Sequence, residues 1–199
     1  MKAEDFFQYK DVIFDFDGTI IDSADAIMKS LKYSLTQYSI QPRVGLTNDL
    51  IGPPLDELIT TLTGFLINDP HHAELCEIFK KHYDDLGVND TKLFPGMFDL
   101  LNLLKLKNIN IWIATNKRRI PTFKILNLLN LQEIVNGVYT IDSICPNLAS
   151  KSEILNLLVK SEILNIKSTI FIGDRESDRI AAQVNNIKFI MVPWGYENE

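Results

Sequence analysis

The sequence predicts an α/β fold in which a parallel, doubly wound sheet carries a separate helical cap. One reason is that short apolar runs rich in β-branched and aromatic residues alternate with segments of helical periodicity, which is the pattern of parallel βαβ units. A second reason is that the interval 23–93 breaks this alternation, because its periodic segments are all helical. Helices inserted into a βαβ pattern indicate a separate helical domain beside the sheet.

The elements of the sheet layer follow from this periodicity. Short apolar runs predict buried strands at residues 12–16, 109–114, 137–140, 169–172 and 188–192. Helical periodicity predicts the covering helices at residues 97–106, 120–129, 152–164 and 178–184. Strand and helix therefore alternate through the second half of the chain.

Three further helices are predicted in the interval that breaks the alternation, at residues 24–38, 55–63 and 71–86. Residues 39–54 contain several glycines and prolines, which indicate a loop between the first two of these helices. Pro95 and Gly96 mark the turn at which the chain returns to the sheet. We therefore predict a core domain formed by residues 1–22 and 94–199, and a helical cap domain at residues 23–93.

The composition is that of a folded protein, with 46% hydrophobic and 23% charged residues among 199. A net charge of -6 disfavours a general attraction to nucleic acid or to anionic membranes. No stretch approaches the roughly 20 apolar residues of a membrane span. Cys76 and Cys145 are too few for a disulfide framework and lack the spacing of a zinc site. We expect a cytoplasmic protein with reduced thiols and no nucleic-acid or membrane partner.

Three of the predicted strands end in polar or acidic clusters, at residues 15–18, 115–117 and 173–174. The carboxyl ends of parallel strands meet at one edge of a sheet, where ligands bind. We therefore expect the three clusters to form one site.

The first cluster holds two carboxylates that suit the hydrolysis of a phosphate ester. Asp15 can act as the nucleophile, because a carboxylate can form an aspartyl-phosphate intermediate. Asp17 lies two residues further on, so in extended backbone its side chain points to the same side, ready to protonate the leaving oxygen and later to activate water. Gly18 allows the chain to turn sharply after the strand.

The other candidates supply phosphate-binding groups and metal ligands. The hydroxyl of Thr115 and the backbone N–H groups near Asn116 suit a phosphoryl oxygen, and Lys151 offers a positive charge just before a predicted helix. Asp174 and Asp178 add carboxylates, and carboxylates clustered beside a phosphate are what Mg²⁺ requires. The three clusters together predict magnesium-dependent chemistry on a phosphate.

Calcium binding is a competing interpretation of the first cluster, and the ligand spacing excludes it. An EF-hand loop aligned on Gly18 would place Ile13 at the first ligand position and Ala24 at the position of the bidentate acid. Neither side chain can bind a cation.

Two other groups of polar residues have simpler interpretations. The three histidines lie in the predicted cap without an acid or cysteine constellation, so we expect them on solvated surface, at His71, His72 and His82. Lys117 and Arg118 follow a strand of the site, and two roles stay open for them. They could contact a distal anion of the substrate or form a solvated helix start.

Four segments that occur in the same order resemble the motifs of the haloacid dehalogenase superfamily, in its phosphoglycolate-phosphatase-like branch. They are DFDGTIIDS, IWIATNK, ASKSEIL and IGDRESD. The segment IGPP at residues 51–54 also resembles the cap loop of this branch. The resemblance covers nearly the whole chain. It implies a Rossmann-like core with an all-helical cap of the C1 type inserted after the first motif, where the helical interval lies.

The resemblance also implies roles for individual residues. Asp15 is the expected nucleophile and a Mg²⁺ ligand, and Asp17 is the expected acid and base, binding the metal through its carbonyl group. Asp174 is an expected Mg²⁺ ligand, while Asp178 supports the metal shell. Phosphate and substrate binding are assigned to Gly18, Thr115, Asn116 and Lys151. Because the Lys-Pro pair common in relatives is missing here, Lys160 is a second candidate for the lysine.

These observations predict a Mg²⁺-dependent phosphatase that hydrolyses a small phosphate monoester through an aspartyl phosphate. The expected partner is a small phosphorylated metabolite, with 2-phosphoglycolate as the first candidate, and the expected assembly is a monomer or homodimer. Substrate preference is expected to lie in the cap, near Lys32 or Arg43.

Two alternatives are a phosphomutase of the same superfamily and a non-catalytic phosphometabolite-binding protein. A dehalogenase is disfavoured, because that relative needs neither Asp17 as an acid nor a metal. A phosphonate-cleaving relative needs a cap lysine that forms a Schiff base. Lys29 and Lys32 are available, but neither has a visible activating context in the sequence.

Overall fold

A computed structural model of the chain describes residues 3–196. The strands are β1 (Asp11–Phe14), β2 (Ile21–Asp22), β3 (Lys92–Leu93), β4 (Asn110–Thr115), β5 (Gly137–Thr140), β6 (Thr169–Gly173) and β7 (Lys188–Met191). The helices are α1 (Ala24–Gln37), α2 (Leu55–Thr63), α3 (Pro70–Asp85), α4 (Met97–Leu106), α5 (Arg119–Leu128), α6 (Lys151–Ser161) and α7 (Glu176–Val184).

The main sheet contains five parallel strands in the order β5-β4-β1-β6-β7. β1 lies at its centre, and Phe14 near its end stands opposite Ile113 of β4 and Ile172 of β6. The amide of Asp15 continues the ladder by donating to the carbonyl oxygen of Ile172 at 2.8 Å. The carboxyl ends of the three central strands therefore meet at one edge, as the predicted α/β fold requires.

Both faces of the sheet are covered, which explains why its strands are continuous apolar runs. Alternate residues of the strands point to opposite sides: Val12 and Phe14 join the core that includes the cap, whereas Ile13 joins a second core beneath α6 and α7. Trp112 and Phe171, from the strands on either side, lie in the second core with Ile13.

The cap is helical, as predicted, and consists of α1, α2 and α3. Within the chain these helices lie between β2 and β3, which pair in a short antiparallel ladder. α3 packs against both α1 and α2. The prediction of the domain boundaries, 1–22 with 94–199 for the core and 23–93 for the cap, stays a prediction. No helix in residues 3–196 is long and apolar enough to cross a membrane.

The bounds predicted from the sequence differ from those of the structure in two situations: where a capping group sets the start of a helix, and where a strand is very short. α6 begins at Lys151, because the Ser150 side chain accepts a hydrogen bond from the Glu153 amide at 3.3 Å and caps the helix. α7 begins at Glu176, two residues before the predicted start, since the Asp178 carboxylate caps it by accepting from the Arg175 amide at 3.2 Å. β2 and β3 have two residues each, which is too short for a detectable period.

The helix α4 provides a matched test of the packing of the core. Leu104 is fully buried, whereas Leu106 on the same helix is 78% exposed. We expect Leu104→Ala to lower the free energy of unfolding by about 2–5 kcal/mol, through lost burial and the cavity left behind. Leu106→Ala should change it by less than about 0.5 kcal/mol. Urea denaturation measures both, and equal effects would contradict the packing described here.

Candidate active site

A buried ion pair between Asp15 and Lys151 lies at the centre of the site. Asp15 directly follows β1, and Lys151 is the first residue of α6, whose start brings its ammonium to the end of the sheet. The Nζ atom of Lys151 contacts Asp15 Oδ1, lies 3.1 Å from Asp178 Oδ1 and donates to the carbonyl oxygen of Ala114 at 3.2 Å. Three groups from three segments therefore fix the lysine.

Asp15, Asp174 and Asp178 form a buried cluster of carboxylates. One oxygen of each lies within 4.8 Å of the others, and Lys151 is the ammonium placed among them. Three carboxylates and one ammonium leave two negative charges out of water. Because a hard divalent cation both neutralises this excess and prefers oxygen ligands, the donor set fits Mg²⁺.

The pKa values in the cluster follow from the same excess of negative charge. Burial raises the pKa of Asp15 well above its ordinary value, the Lys151 ammonium opposes this rise, and Asp178 and Asp174 add to it. Burial also raises the pKa of Asp174 to about 6, although a hydrogen bond from the Tyr196 amide lowers it. Burial opposes the charge of Lys151, but Asp15 and Asp178 raise the pKa of its ammonium. The metal-free cluster is thus electrostatically strained.

Contacts on two sides hold Asp174 in position. Its Oδ2 accepts from the Tyr196 amide at 2.9 Å, and its Oδ1 accepts from the Thr19 hydroxyl at 3.4 Å. Gly18 lies against the same carboxylate, since a Cβ atom there would stand 2.3 Å from Asp174 Oδ2. Gly18 also has a φ of +82°, in the left-handed region that favours glycine.

Asp17 forms a second ion pair beside the cluster. The Nζ atom of Lys117 lies 2.7 Å from Asp17 Oδ1, and the Ser23 hydroxyl donates to the same oxygen. Lys117 also stands 4.6 Å above the ring of Tyr83, which belongs to the cap. Burial opposes the charge of Lys117, but Asp17 and Tyr83 raise the pKa of its ammonium. Asp17 is therefore held from both core and cap.

A cavity of about 370 Å³ opens between the sheet edge and the cap. The core contributes Asp15, Asp17, Thr115, Asn116 and Lys117 to its polar floor. The cap contributes a largely apolar wall that includes Ile51, Leu58, Ile67 and Phe79, together with Lys80 and Tyr83. The size is near the lower end of the roughly 300–1,000 Å³ typical of small-molecule sites.

Polar contacts hold the cap loop against the core. The Arg175 guanidinium donates to the carbonyl oxygen of Ile51, and at 2.8 Å to that of Asp49. The Asn116 amide donates to the carbonyl oxygen of Gly52 at 2.8 Å. A Cβ atom at Gly52 would stand 2.5 Å from the Arg175 side chain, so only glycine lets the two segments approach this closely.

A further contact joins α3 of the cap to the core. Arg118 donates to both carboxylate oxygens of Asp84, at 2.7 and 3.0 Å. Bidentate pairs of this kind are both stronger and more directional than single ion pairs. This pair attaches α3 to the core, and the contacts of Arg175 and Asn116 attach the cap loop. Together they enclose the cavity.

The structure brings most of the predicted site residues together. The residues that line the cavity are Asp15, Asp17, Thr115 and Asn116. Lys151, Asp174 and Asp178 lie around the Asp15 carboxylate. Gly18 is not among the cavity residues but packs behind Asp174. The second candidate lysine, Lys160, is exposed on α6 and contacts a different surface pocket.

Several predictions about the cap need correction. His72 was expected on solvated surface, but it is only 1% exposed, because it packs between α2 and α3. Lys32 and Arg43 do not line the cavity, although the cap walls it as expected. Lys29, a candidate for a Schiff base, also lies outside the cavity, where it is exposed and pairs with Asp90.

Sequence reasoning did not find the partners that orient Asp17 and the cap loop. The sequence left two roles open for Lys117, contact with a distal anion of the substrate and a solvated helix start. Its ion pair with Asp17 matches neither of them. The only sequence signal for it was its position two residues after Thr115. Ser23 lies only six residues after Asp17, within the segment DFDGTIIDS, but its side chain was not assigned a role. The loop contact of Arg175 had no local signal, because it joins segments 124 positions apart.

Comparison with known proteins connects this site to a family. A family model described as haloacid dehalogenase-like hydrolase matches residues 12–192. A 5'-nucleotidase of Pseudomonas aeruginosa is 25% identical over 193 residues, covering 96% of this chain and 86% of the relative. A phosphoglycolate phosphatase of Aquifex aeolicus is 28% identical over 185 residues, covering 93% of this chain and 85% of the relative.

Solved structures agree with these matches. The crystal structure of a predicted phosphatase from Clostridium acetobutylicum superposes with a TM-score of 0.85 at 30% identity. The match covers 94% of this chain and 86% of that one. The core and the helical cap are thus both shared with that structure.

Gly18 and Gly96 offer a matched test of how Asp174 is positioned. Both have positive φ, +82° and +77°, but a Cβ atom collides with Asp174 only at Gly18 and meets nothing within 4 Å at Gly96. We expect both alanine variants to lose about 1–2 kcal/mol through backbone strain. If the carboxylate cluster binds a divalent cation, Gly18→Ala alone should weaken that binding, by at least about tenfold. The Mg²⁺ concentration that raises the thermal unfolding midpoint measures this, and an equal response of both variants would contradict it.

Proposed function

The chain belongs to the haloacid dehalogenase-like hydrolase family as a phosphatase of small phosphorylated molecules, and we propose that it works through a phosphoryl group carried on Asp15, with Mg²⁺ as cofactor. The observation that carries this proposal is the position of Asp15. Its carboxylate faces the cavity while Lys151 and two further carboxylates surround it. Burying a carboxylate in this way costs stability. A role as the nucleophile gives a reason for the carboxylate to be buried there.

In the first step, an oxygen of the Asp15 carboxylate forms a bond to phosphorus while the bond from phosphorus to the ester oxygen breaks. Asp17 enters this step protonated on Oδ2, the carboxylate oxygen other than the one that binds Lys117, gives that proton to the ester oxygen, and the alcohol leaves. The proposed role of Lys151 is to hold Asp15 in line and to balance its charge. Thr115 and the backbone N–H groups near Asn116 are proposed to bind the phosphoryl oxygens, since both residues line the cavity.

In the second step, a water molecule attacks the phosphorus of the aspartyl phosphate. Asp17 takes the proton of this water, the bond between phosphorus and Asp15 breaks, and inorganic phosphate leaves. The same carboxylate must therefore face the cavity in both steps. Lys117 and Ser23 support this role, because both bind Asp17 Oδ1 and restrict its rotation.

The proposed Mg²⁺ ligands are Asp15 and Asp174, with Asp17 through its carbonyl oxygen and Asp178 supporting the metal shell. When bound, the ion supplies charge neutralisation for the phosphoryl oxygens. The buried cluster supports this assignment, because three carboxylates are gathered around a single ammonium. Asp178 supports it by holding Lys151 at 3.1 Å and capping α7 through the Arg175 amide at 3.2 Å.

We propose a substrate with a small leaving group, and 2-phosphoglycolate is the first candidate. The cavity of about 370 Å³ leaves limited room beside a phosphate. Lys80 and Arg118 lie in its wall and are the cations proposed to face a distal anion of the substrate. The relatives include a phosphoglycolate phosphatase and a 5'-nucleotidase, whose substrates differ greatly in size. Turnover of 2-phosphoglycolate should therefore be compared with turnover of a 5'-nucleotide.

We expect Asp15→Asn to abolish turnover of small phosphate esters, by at least about 10³-fold, because the amide cannot carry the phosphoryl group. The measurement is Mg²⁺-dependent release of phosphate from p-nitrophenyl phosphate and from 2-phosphoglycolate. Asp25→Asn is the matched control, since Asp25 is exposed on α1 outside the cavity.

Three outcomes would contradict the proposal. Substantial turnover by Asp15→Asn would remove the nucleophile assignment. Phosphate binding without any turnover by the unaltered protein would favour a phosphometabolite-binding protein. Turnover that depends on an added sugar bisphosphate would instead favour the phosphomutase alternative.

Asp17→Asn should separate the two chemical steps. An alkyl phosphate needs its leaving oxygen protonated, so we expect its cleavage to slow by about 10²–10⁴-fold. p-Nitrophenolate leaves without a proton, whereas the second step still lacks its base. Rapid mixing with p-nitrophenyl phosphate should therefore give a burst close to one equivalent of nitrophenol, followed by slow turnover. Equal rates for the two esters, with no burst, would exclude Asp17 as the acid and base.

A further inference from the structure

A second cluster of potential metal ligands lies in the cap, apart from the carboxylates around Asp15. It consists of Asp56 in the first turn of α2 and of His72 and Cys76 on α3. One ligand atom from each lies within 4.8 Å of the others. Cys76 lies four positions after His72, which places both side chains on one face of the helix. The packing of α2 on α3 brings Asp56 to that face.

The distances in this cluster match those of a tetrahedral metal site. Cys76 Sγ lies 3.8 Å from His72 Nδ1 and 3.6 Å from Asp56 Oδ1. Metal–ligand bonds typical of zinc, at tetrahedral angles, would separate sulfur from nitrogen or oxygen by about 3.6 Å. The sulfur therefore needs to move little relative to either of the other two atoms for one ion to bind.

The second ring nitrogen of His72 is already held as ligating histidines require. His72 Nε2 lies 2.9 Å from the backbone carbonyl oxygen of Asp56. Because a carbonyl oxygen only accepts, Nε2 carries the hydrogen and Nδ1 presents its lone pair towards Cys76. A hydrogen bond from the outer nitrogen to a carbonyl group is the usual support of a metal-bound histidine.

We propose that Asp56, His72 and Cys76 bind a transition-metal ion of the zinc class. A thiolate, an imidazole and a carboxylate form a ligand set that suits Zn²⁺ better than Mg²⁺, which takes oxygen ligands. This site differs chemically from the all-carboxylate cluster of the core, so the two would select different ions. The proposal does not depend on the phosphatase reaction.

The surroundings favour metal binding over a reactive thiol. Cys76 is 2% exposed. A thiol buried to this extent is poorly accessible to electrophiles and oxidants in solution, so it is not a typical redox sensor. Asp56, in contrast, is exposed and lines the cavity. Metal therefore has a route to the cluster, and a fourth ligand can be water.

The bound ion would join α2 to α3 behind the wall of the active-site cavity. Leu58 and Phe79 lie one turn or less from Asp56 and Cys76 along their helices, and both line that wall. A metal link between the two helices would therefore fix the wall that faces the substrate. We expect the loaded cap to unfold at a higher temperature than the metal-free cap.

The test is a titration of the full-length, chelator-treated protein with Co²⁺, in excess Mg²⁺ to occupy the carboxylate cluster. We expect a thiolate-to-Co²⁺ absorption band in the near ultraviolet and tetrahedral bands in the visible, both lost on adding one equivalent of Zn²⁺. Cys76→Ser should lose the thiolate band. His72→Gln should weaken Zn²⁺ binding by more than the 10–100-fold that loss of an outer partner costs.

Matched controls make the outcome specific. Cys145→Ser should keep the band, because Cys145 is the exposed cysteine outside the cluster. His71→Asn should keep it as well, since His71 is the exposed neighbour. Asp174→Asn removes a proposed Mg²⁺ ligand and should leave the band unchanged. Where Cys76→Ser is unstable, Asp56→Asn at an exposed position tests the same site by a loss of Zn²⁺ affinity.

Four results would overturn the proposal. Three concern the thiolate band, namely its absence in the unaltered protein, its persistence in Cys76→Ser and its disappearance in Cys145→Ser. An Asp56→Asn variant that binds Zn²⁺ as tightly as the unaltered protein would remove Asp56 from the ligand set and overturn the site as proposed.

Discussion

The burial of one ammonium among three carboxylates is the interaction on which the rest of the structure depends. Charges removed from water cost several kcal/mol each unless partners surround them, and the partners of Asp15 come from the end of β6 and from the starts of α6 and α7. Such a cluster can form only where several strands end together. The parallel order with β1 at the centre provides that place, and two cores on opposite faces of the sheet hold it rigid.

The sequence predicted the parts of the site that follow from strand ends. Asp15, Thr115 and Asp174 each end a strand of the sheet or follow it directly, and parallel pairing brings such positions to one edge whatever the side chains are. The position of Lys151 in the site was also predicted, because a lysine at the start of a helix next to this edge lies close to Asp15. The types of the elements were also predictable, because strong hydrophobic periodicity can be recognised in a sequence without knowing the tertiary packing.

The rest could not be predicted, because it depends on how segments far apart in sequence meet. Lys117 and Asp17 are separated by 100 positions, and nothing local to either indicates the other. The prediction that His72 lies on solvated surface was wrong for a similar reason. Its acid and thiol neighbours are on the facing side of α2 and one turn along α3. The search for a metal site by spacing also missed them, since one cysteine and one histidine form no recognised motif.

The contacts that hold the cap loop are made to its peptide groups rather than to its side chains. Arg175 and Asn116 donate to the carbonyl oxygens of Asp49, Ile51 and Gly52. Every residue type offers the same carbonyl oxygen, so the loop can exchange side chains without losing its hold on the core. Gly52 is the exception, because a side chain there would displace Arg175. Over evolution, the side chains of this loop can therefore change while its attachment to the core persists.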